Sequence, residues 1–249
     1  GGPGNVVPSG LMLRMMLRHV RPLIEADYTA WYVTRRRNMP PGHSVKDRAG
    51  DYAWLIGDKF DGQVDLVVGD SFGGMIGIYL AANHSESYEH IALVGVGYEA
   101  GEASKRQNYR FASRLSEGNP RLAMKESIRA DLPDWRFPGA EMILDGMAGL
   151  FGAIAGRWGF RNTHPGFSSD VMVEAEAGVA FNAKTVLPTI SVPLLLIAGD
   201  DDADLPPHLV QETARLIPDC ELKLYEGKNH TQTFFDQQTG RDILAFVNR

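Results

Sequence analysis

Short apolar runs alternate with helix-like segments along most of this 249-residue chain. The runs cover residues 64–69, 91–97, 193–199 and 221–227, and a shorter one covers residues 29–34. Strands that are apolar along their whole length are typical of a parallel sheet with helices on both faces, because both faces are then buried. The pattern therefore predicts an α/β fold with a mostly parallel sheet covered by helices on both faces.

A long helix-like segment interrupts this alternation between residues 98 and 189. It is rich in Gly and Ala and contains several bulky aromatic residues. A break of this length in an otherwise regular pattern is typical of a functional insertion. We predict one domain, in which residues 1–97 and 190–249 form an α/β core and residues 98–189 form a helical cap over the carboxyl edge of the sheet.

The composition argues against several classes of protein. Asp and Glu total 31 against 25 Lys and Arg, a net charge of −6, whereas a protein that binds nucleic acid normally has a basic surface. The longest uncharged apolar stretch, residues 146–156, is shorter than the ~18 residues of a membrane span. Cys220 is the single cysteine, so no intrachain disulfide can form. We expect a cytoplasmic protein whose partner is a small-molecule substrate.

The segment Gly69-Asp70-Ser71-Phe72-Gly73 carries the strongest local signal, since it spells G-x-S-x-G. It stands directly after an apolar strand and directly before an apolar helix, which is the context that this motif requires. A serine in so sharp a turn has strained backbone angles, flanking glycines relieve crowding, and the helix N-terminus favours developing negative charge. We therefore predict that Ser71 is a nucleophile.

A serine hydroxyl is a weak nucleophile without a base, so a histidine and an acid that orients it are expected. His230 lies just after the last apolar strand, at the edge of the sheet where sites gather. The other six histidines fall in helices, at the start of a strand or in polar loops, and His43 is among those expected to be solvated. His230 is therefore the predicted base.

The acid should come from the turn after the strand at residues 193–199, which contains four aspartates. The spacing G-x-x-D-x-x-L-P favours Asp202, while Asp200 and Asp201 remain alternatives. Asp204 is expected to cap the turn or to face solvent. As a calcium loop, the same run lacks the Gly at position 6 and the Glu at position 12, so no metal is expected.

Two further motifs suggest other interpretations. Residues 95–100 spell G-x-G-x-x-A, a dinucleotide fingerprint, but a polar, helix-like sequence stands where the next strand of such a site should be. We interpret these residues as a strand end that leads into the cap, and no cofactor is expected. The run Arg35-Arg36-Arg37 could hold an anionic group of a substrate, although a solvated loop is the more frequent role of such a run.

The order Ser71, Asp202, His230 resembles that of the α/β-hydrolase family, and the resemblance covers almost the whole chain. The long first interval holds the cap, and the short second interval holds a helix and a strand. Within the family, the chain is most similar to the capped esterases and C–C hydrolases. The resemblance implies that His230 removes the proton of Ser71 while Asp202 orients the imidazole.

The opening residues 1–4 are similar to the oxyanion loop of this family. The resemblance implies that the backbone N–H groups of Gly2 and Phe72 form the oxyanion hole. Family members carry strands before this loop, whereas the present sequence begins inside it. We therefore expect either an N-terminally truncated sequence or a sheet that has lost its first strands, and we favour truncation because a loop that begins at residue 1 has no strand to anchor it.

The apolar stretch at residues 147–155 of the cap is built from small residues with a few larger ones. Leu150, Phe151 and Ile154 are predicted to line a substrate pocket, and plain packing of the cap on the sheet is the competing interpretation. The predicted activity is hydrolysis of a small carboxylic ester or related acyl substrate through an acyl-enzyme. The alternatives are a hydrolase-like ligand receptor and a cofactor-free lyase or oxidative enzyme on the same fold.

Overall fold

A computed structural model describes residues 13–14, 17–131, 137–158 and 165–249, without the side chains of residues 129–131 and 154–158. One parallel sheet contains the strands β1 (Val64–Asp70), β2 (Tyr88–Val94), β3 (Leu194–Gly199) and β4 (Cys220–Tyr225). The strands lie side by side in chain order, so each crossover leads to the neighbouring strand. All four longer apolar runs are thus confirmed as strands.

Helices surround this sheet and account for most of the remaining structure. The helix at Val45–Lys59 begins directly after Ser44, because the hydroxyl of Ser44 accepts the backbone N–H of Asp47 and the carboxylate of Asp47 accepts that of Ser44. None of the helices in the described ranges is long and apolar enough to cross a membrane. In chain order, the helices are α1 (Arg21–Glu25), α2 (Val45–Lys59), α3 (Phe72–Asn83), α4 (Glu102–Ser116), α5 (Pro120–Asp131), α6 (Ala140–Trp158), α7 (Phe167–Ala180), α8 (Pro207–Leu216), α9 (His230–Phe235) and α10 (Gln237–Val247).

Both faces of the sheet are buried, because successive side chains of β2 and β3 alternate between two apolar cores. Ile91, Leu93 and Leu196 belong to the core that contains residues of α2, α3 and α8. Ala92 and Leu195 belong to the opposite core, which contains residues of α1 and α10. The prediction of a parallel sheet covered by helices on both faces is confirmed.

Among the described residues between β2 and β3, the chain forms the helices α4 to α7. Helix α5 packs on α6, and α4 packs on α7. Phe111, Leu115, Phe167 and Val171 contribute to a small apolar core of their own, separate from the two cores of the sheet. These helices occupy the segment predicted as a cap, and the division of the chain into core and cap remains a prediction.

The strand predicted at residues 29–34 is wrong. These residues pair with no strand in the described part of the chain, and the side chain of Trp31 is 70% exposed. The Trp31 ring contacts the edge of the Phe60 ring, with the two ring centroids 5.5 Å apart. An apolar run becomes a strand only where a neighbour satisfies its backbone hydrogen bonds, and no described strand pairs with these residues, although β1 is the edge strand of the sheet and pairs with β2 on one side.

Candidate active site

Ser71 lies in a sharp turn between β1 and α3, at the carboxyl edge of the sheet. Its backbone angles are φ 53° and ψ −116°, a conformation that costs an L-residue strain energy. The Ser71 N–H donates a hydrogen bond to the carbonyl oxygen of Val94 at 2.8 Å. The turn is therefore tied to the end of the neighbouring strand β2, and the serine side chain is held at the sheet edge.

Two of the glycines around Ser71 are required by lack of space. A Cβ atom at Gly69 would lie 2.8 Å from the carbonyl oxygen of Gly73, and one at Gly74 would lie 2.8 Å from the Cβ of Val96. A Cβ at Gly73 would meet no described atom within 4 Å. The crowding that the motif predicts therefore applies to Gly69 and Gly74, whereas Gly73 has room for a side chain.

His230 is the first residue of α9, in the connection that follows β4. Its Nε2 atom lies 3.0 Å from the Oγ atom of Ser71. The preceding residue, Asn229, caps the helix and exchanges reciprocal hydrogen bonds with Gln232, which fixes the position where His230 enters. Gly95, at the end of β2, leaves room for the imidazole, since a Cβ there would lie 3.0 Å from the Cε1 atom of His230.

Asp202 lies in the loop after β3 and contacts the other nitrogen of the imidazole. Its Oδ2 atom lies 2.6 Å from Nδ1 of His230, and its side chain is fully buried. Its Oδ1 atom accepts the backbone N–H groups of Asp204 and Leu205, each at 2.9 Å. Because the loop backbone holds one carboxylate oxygen, the other is aimed at the histidine.

The remaining aspartates of this loop have other surroundings. Asp200 accepts the backbone N–H of Gly227 at 2.6 Å and so links the ends of β3 and β4. Asp201 is exposed. Asp204 is partly buried, and burial raises the pKa of its carboxyl group. Of the three alternatives left open by the sequence, the structure places Asp202 in hydrogen-bond contact with His230.

Asp202, Asp204 and His230 also offer three ligand atoms within 4.8 Å of one another. Both oxygens of Asp202 and both nitrogens of His230 already make hydrogen bonds. A metal ion here would have to displace the contact between His230 and Ser71 or that between His230 and Asp202. We therefore assign these residues to the hydrogen-bonded Ser–His–Asp arrangement and not to a metal centre.

Phe72, predicted as an oxyanion-hole residue, is the first residue of α3. Its backbone N–H belongs to the first turn, where a helix leaves its N–H groups without partners, and it makes no hydrogen bond to another described residue. The N–H is adjacent to Ser71, as a donor to a developing oxyanion must be. Gly2, the other predicted donor, lies outside the described residues.

A cavity of about 100 Å³ opens beside Ser71, between the core and helices α4 and α7. Its core side is mainly apolar, and its cap side mixes apolar and polar side chains. The residues of the core that line it are Ser71, Phe72 and Met75, and those of the predicted cap are Ala100, Ser104, Lys105, Asn108, Phe111, Val171, Glu174, Ala175, Gly178 and Val179.

Leu150 and Phe151 of helix α6, predicted as pocket residues, are not among the described residues that line this cavity. The side chains of Leu150 and Phe151 are 62% and 48% exposed, and the side chain of Ile154 lies outside the described part of the structure. The prediction for Leu150 and Phe151 is therefore wrong at this cavity. The reason is that α6 packs on α5, whereas α4 and α7 are the cap helices that approach Ser71.

Two basic residues that were expected to be solvated are buried or paired. Arg35 is 7% exposed and makes an ion pair with Glu174 of α7. His43 is also largely buried, and its Nε2 atom lies 2.7 Å from the carboxylate of Asp51. Arg36, in contrast, remains exposed and lies near the same carboxylate. The basic run therefore supplies one buried residue and does not form a uniformly solvated loop.

Lys105 and Glu174, the charged residues of the described cavity lining, both have partners. The Nζ atom of Lys105 contacts the carboxylate of Glu102 at 2.8 Å and that of Glu99 at 3.4 Å, and the first of these hydrogen bonds raises the pKa of Lys105. Glu174 is paired with Arg35. The described lining thus combines polar groups with paired charges.

Sequence reasoning missed the lining residues of α4, although a signal was present. Ser104, Lys105, Asn108 and Phe111 follow one another at the spacing of a single helix face, so they could have been grouped from sequence. That grouping alone would not have shown which protein surface the face covers.

The parallel sheet, the serine in a strand–turn–helix junction, and the histidine and aspartate in the connections after later strands define an α/β hydrolase fold. A profile described as "Alpha/beta hydrolase family" matches residues 5–244. The chain therefore belongs to the α/β-hydrolase family, as its sequence suggested.

Similar proteins include hydrolases with several substrates. "Putative carbamate hydrolase RutD" of Stutzerimonas stutzeri is 24% identical over 211 residues, which are 83% of this chain and 74% of that protein. Among solved structures, an esterase from Exiguobacterium antarcticum has a TM-score of 0.71 at 17% identity and covers 100% of this chain and 90% of its own. The enol-lactonase from Burkholderia xenovorans has a TM-score of 0.68 at 20% identity, with 94% and 86% covered. At 17% and 20% identity, the structural likeness shows that this chain shares the fold of these two proteins.

Proposed function

We propose that this α/β hydrolase is a serine hydrolase that cleaves a small carboxylic ester or a related acyl compound through an acyl-enzyme. The observation that carries the proposal is the continuous hydrogen-bonded series from Ser71 through His230 to Asp202, with distances of 3.0 and 2.6 Å. These are the distances expected between a nucleophile, its base and the group that orients the base.

In the first half of the reaction, Oγ of Ser71 attacks the substrate carbonyl carbon while Nε2 of His230 takes the serine proton. Asp202 holds Nδ1–H and stabilises the imidazolium that forms, and its burial keeps water from competing for this hydrogen bond. The imidazolium then gives its proton to the leaving oxygen, and the acyl group remains on Ser71. In the second half, His230 activates a water molecule that attacks the acyl carbon and releases the acid.

Negative charge develops on the carbonyl oxygen in both halves. In this proposal it is stabilised by the backbone N–H of Phe72 and by a second donor, for which the sequence resemblance suggests Gly2. Such preorganised donors are typically the largest single contribution to catalysis in acyl transfer. The strained angles of Ser71 are consistent with this role, because they place the serine at the exposed start of α3.

The cavity supports a small acyl group. Its volume of about 100 Å³ is below the ~150 Å³ of an engineered apolar cavity that binds benzene, so it suits a short acyl chain. The names of the similar proteins refer to a carbamate, an enol lactone and esters. A small acyl compound is the substrate class that agrees with both observations, and a cytoplasmic location remains a prediction from the single cysteine.

The test combines a fluorophosphonate probe with turnover of short nitrophenyl esters. We expect the parent protein to be labelled and active, and Ser71→Ala to be unlabelled and to lose several orders of magnitude in kcat. Ser104→Ala is the matched control, because Ser104 lines the same cavity but makes no contact with His230 in the described structure. It should be labelled like the parent.

Each other outcome favours a different function. A parent that is not labelled and does not turn over any ester, but binds small ligands, would favour the hydrolase-like receptor. A parent that is labelled at Ser71 yet inactive on the ester series would favour a lyase or another acyl chemistry. Full labelling of Ser71→Ala would contradict the assignment of the nucleophile.

A further inference from the structure

A buried ion pair joins the core to the cap beside the nucleophile. Arg35, in the connection that precedes α2, donates from Nη2 to the Oε1 atom of Glu174 at 3.0 Å, and its Nε atom contacts Oε2. The two residues are 7% and 5% exposed. Two-point contact of this kind fixes both groups in geometry, and losing one partner would leave an uncompensated buried charge.

The same guanidinium group contacts the aromatic ring of Phe72. The Cζ atom of Arg35 lies 5.4 Å from the centre of that ring, and the Cζ atom of Arg48, on α2, lies 5.5 Å from it. Both distances are within the range of cation–π attraction. On the cap side, Gly178 of α7 lies beside the ring, since a Cβ there would be in ordinary van der Waals contact with its Cε2 atom, at 3.4 Å. The Phe72 ring is therefore held by two arginines and by α7.

The position of this ring matters because the Phe72 backbone is next to Ser71 and starts α3. Building on the proposed function, we propose that Arg35 and Glu174 are positioning residues: their ion pair fixes the Phe72 ring and thereby aims the Phe72 N–H at the developing oxyanion. Neither residue has to touch the reacting atoms for this role. The pair also makes the position of α7 part of the catalytic geometry.

The carboxylate of Glu174 offsets the positive charges of two buried guanidinium groups, those of Arg35 and Arg48. Arg48 is 1% exposed and donates to the carbonyl oxygen of His43, while its Nε and Nη2 atoms make no hydrogen bond to another described residue. Burial lowers the pKa of Arg48, and the carboxylate of Glu174 opposes that effect. Without this carboxylate, two buried guanidinium groups would face the same ring and repel each other. The ring and the backbone attached to it should then shift.

The competing interpretation is a clasp that only attaches the cap and has no effect on chemistry. Helix α7 contains a suitable control, because Asp170 lies one turn before Glu174 and is also fully buried. Its carboxylate accepts the backbone N–H groups of Asn38 and Met39 at 2.9 and 2.7 Å, so it too joins the cap to the core. Unlike Glu174, Asp170 is not among the described residues that line the cavity beside Ser71.

The experiment compares Glu174→Gln and Arg35→Lys with Asp170→Asn, each in the 249-residue chain. For each variant, kcat and KM are measured with an acetate and a butyrate ester, together with the rate of fluorophosphonate labelling and the melting temperature. We expect Glu174→Gln and Arg35→Lys to lower kcat roughly tenfold to a hundredfold for both esters, less than complete loss of an oxyanion donor, while KM changes less than about threefold. Asp170→Asn should lower the melting temperature and leave kcat within about twofold.

A double variant separates stability from positioning. Replacement of a buried ion pair by apolar residues is often neutral or stabilising, so Arg35→Leu with Glu174→Leu should recover the melting temperature lost by Glu174→Gln. We expect kcat to stay low in this double variant, because the guanidinium that holds the ring is gone. If Glu174→Gln does not fold, the same comparison is made with Arg35→Lys, which keeps the charge but not the two-point contact.

Three results would overturn this proposal. The first is a parent-like kcat in folded Glu174→Gln or Arg35→Lys, and the second is recovery of kcat together with stability in the double variant. The third is an equal loss of kcat in Asp170→Asn. In each case labelling of the parent at Ser71 together with ester turnover would leave the proposed function standing, whereas a parent that is unlabelled or inactive on esters would overturn the proposed function and this proposal with it.

Discussion

The Oδ2 atom of Asp202 lies 2.6 Å from the Nδ1 atom of His230, and the Asp202 side chain is fully buried. The neighbouring aspartates of the same loop have different contacts: Asp200 accepts a backbone N–H of the β4 connection, and Asp201 is exposed. The loop thus directs one carboxylate among four to the imidazole, and this difference can be tested residue by residue.

Asp202→Asn should lower kcat by a factor that can approach ~10⁴, because an amide in this place favours the wrong imidazole tautomer and cannot stabilise the imidazolium. Asp200→Asn keeps an oxygen that can accept the Gly227 N–H and should stay near the parent, as should Asp201→Asn. The measurement is kcat for an acetate ester in each variant. A large loss in Asp200→Asn or Asp201→Asn, with Asp202→Asn unaffected, would show that the wrong acid has been assigned.

Two replacements of Ser71 should show how much backbone strain the turn carries, independently of the loss of activity. Glycine adopts φ 53° and ψ −116° without the strain of about 1–3 kcal/mol that an L-residue carries, although it gains more entropy on unfolding. We expect Ser71→Gly and Ser71→Ala both to be inactive, with Ser71→Gly more stable by about 1 kcal/mol. Urea unfolding of the two variants measures the difference. Equal midpoints would mean that the turn stores little strain.

The two outer glycines of the G-x-S-x-G motif should respond differently to a methyl group. Gly69→Ala would bring a Cβ within 2.8 Å of a backbone oxygen and should cost about 1–3 kcal/mol of stability. Gly73→Ala has open space and lies inside α3, so it should stabilise the fold by about 0.5 kcal/mol. Thermal unfolding of both variants measures these changes in stability. Destabilisation by Gly73→Ala would contradict the open space at that position.

The size of the cavity predicts how the rate depends on acyl chain length. Each buried methylene should add about 0.8 kcal/mol to transition-state binding, or about fourfold in kcat/KM, from acetate to butyrate. The increase should stop by hexanoate, because the described cavity of about 100 Å³ is then full. Leu150→Asp is the control and should not change the series, since Leu150 is exposed. A series that rises to octanoate and falls in Leu150→Asp would restore α6 as a lining helix.

Replacing Asp204 should stabilise the fold by an amount that depends on pH. Burial raises the pKa of its carboxyl group in the folded protein, although His230 opposes this effect. Because this pKa is raised, ionisation of Asp204 destabilises the fold. The full effect is present at pH values above the folded-state pKa, and it is absent at pH values below the unfolded-state pKa, which is the lower of the two. Asp204→Asn should therefore raise the free energy of unfolding at pH 7 and lose this advantage near pH 3. Urea unfolding at both pH values tests it, and an equal gain at both would exclude ionisation as the cause.

The sequence by itself determined the sheet, its covering helices and the residues that meet at its edge. Strand periodicity, helix caps and the glycines beside Ser71 act over a few residues, so they can be recognised along the chain. The carboxyl ends of parallel strands also meet at one edge, which explains why Ser71 and His230 could be paired from sequence. The choice of Asp202 rested on loop spacing, and in the structure it is this carboxylate that contacts His230.

The tertiary structure decided which apolar and charged residues face one another. Residues 29–34 have the composition of a strand but find no strand neighbour among the described residues, and the apolar helix α6 packs on α5 and not over Ser71. Gly95 looked like part of a nucleotide motif, yet its lack of a side chain makes room for His230. Arg35 meets Glu174 across 139 positions of sequence. Such contacts depend on how helices pack against distant surfaces, and local periodicity carries no information about which surface a helix face will meet.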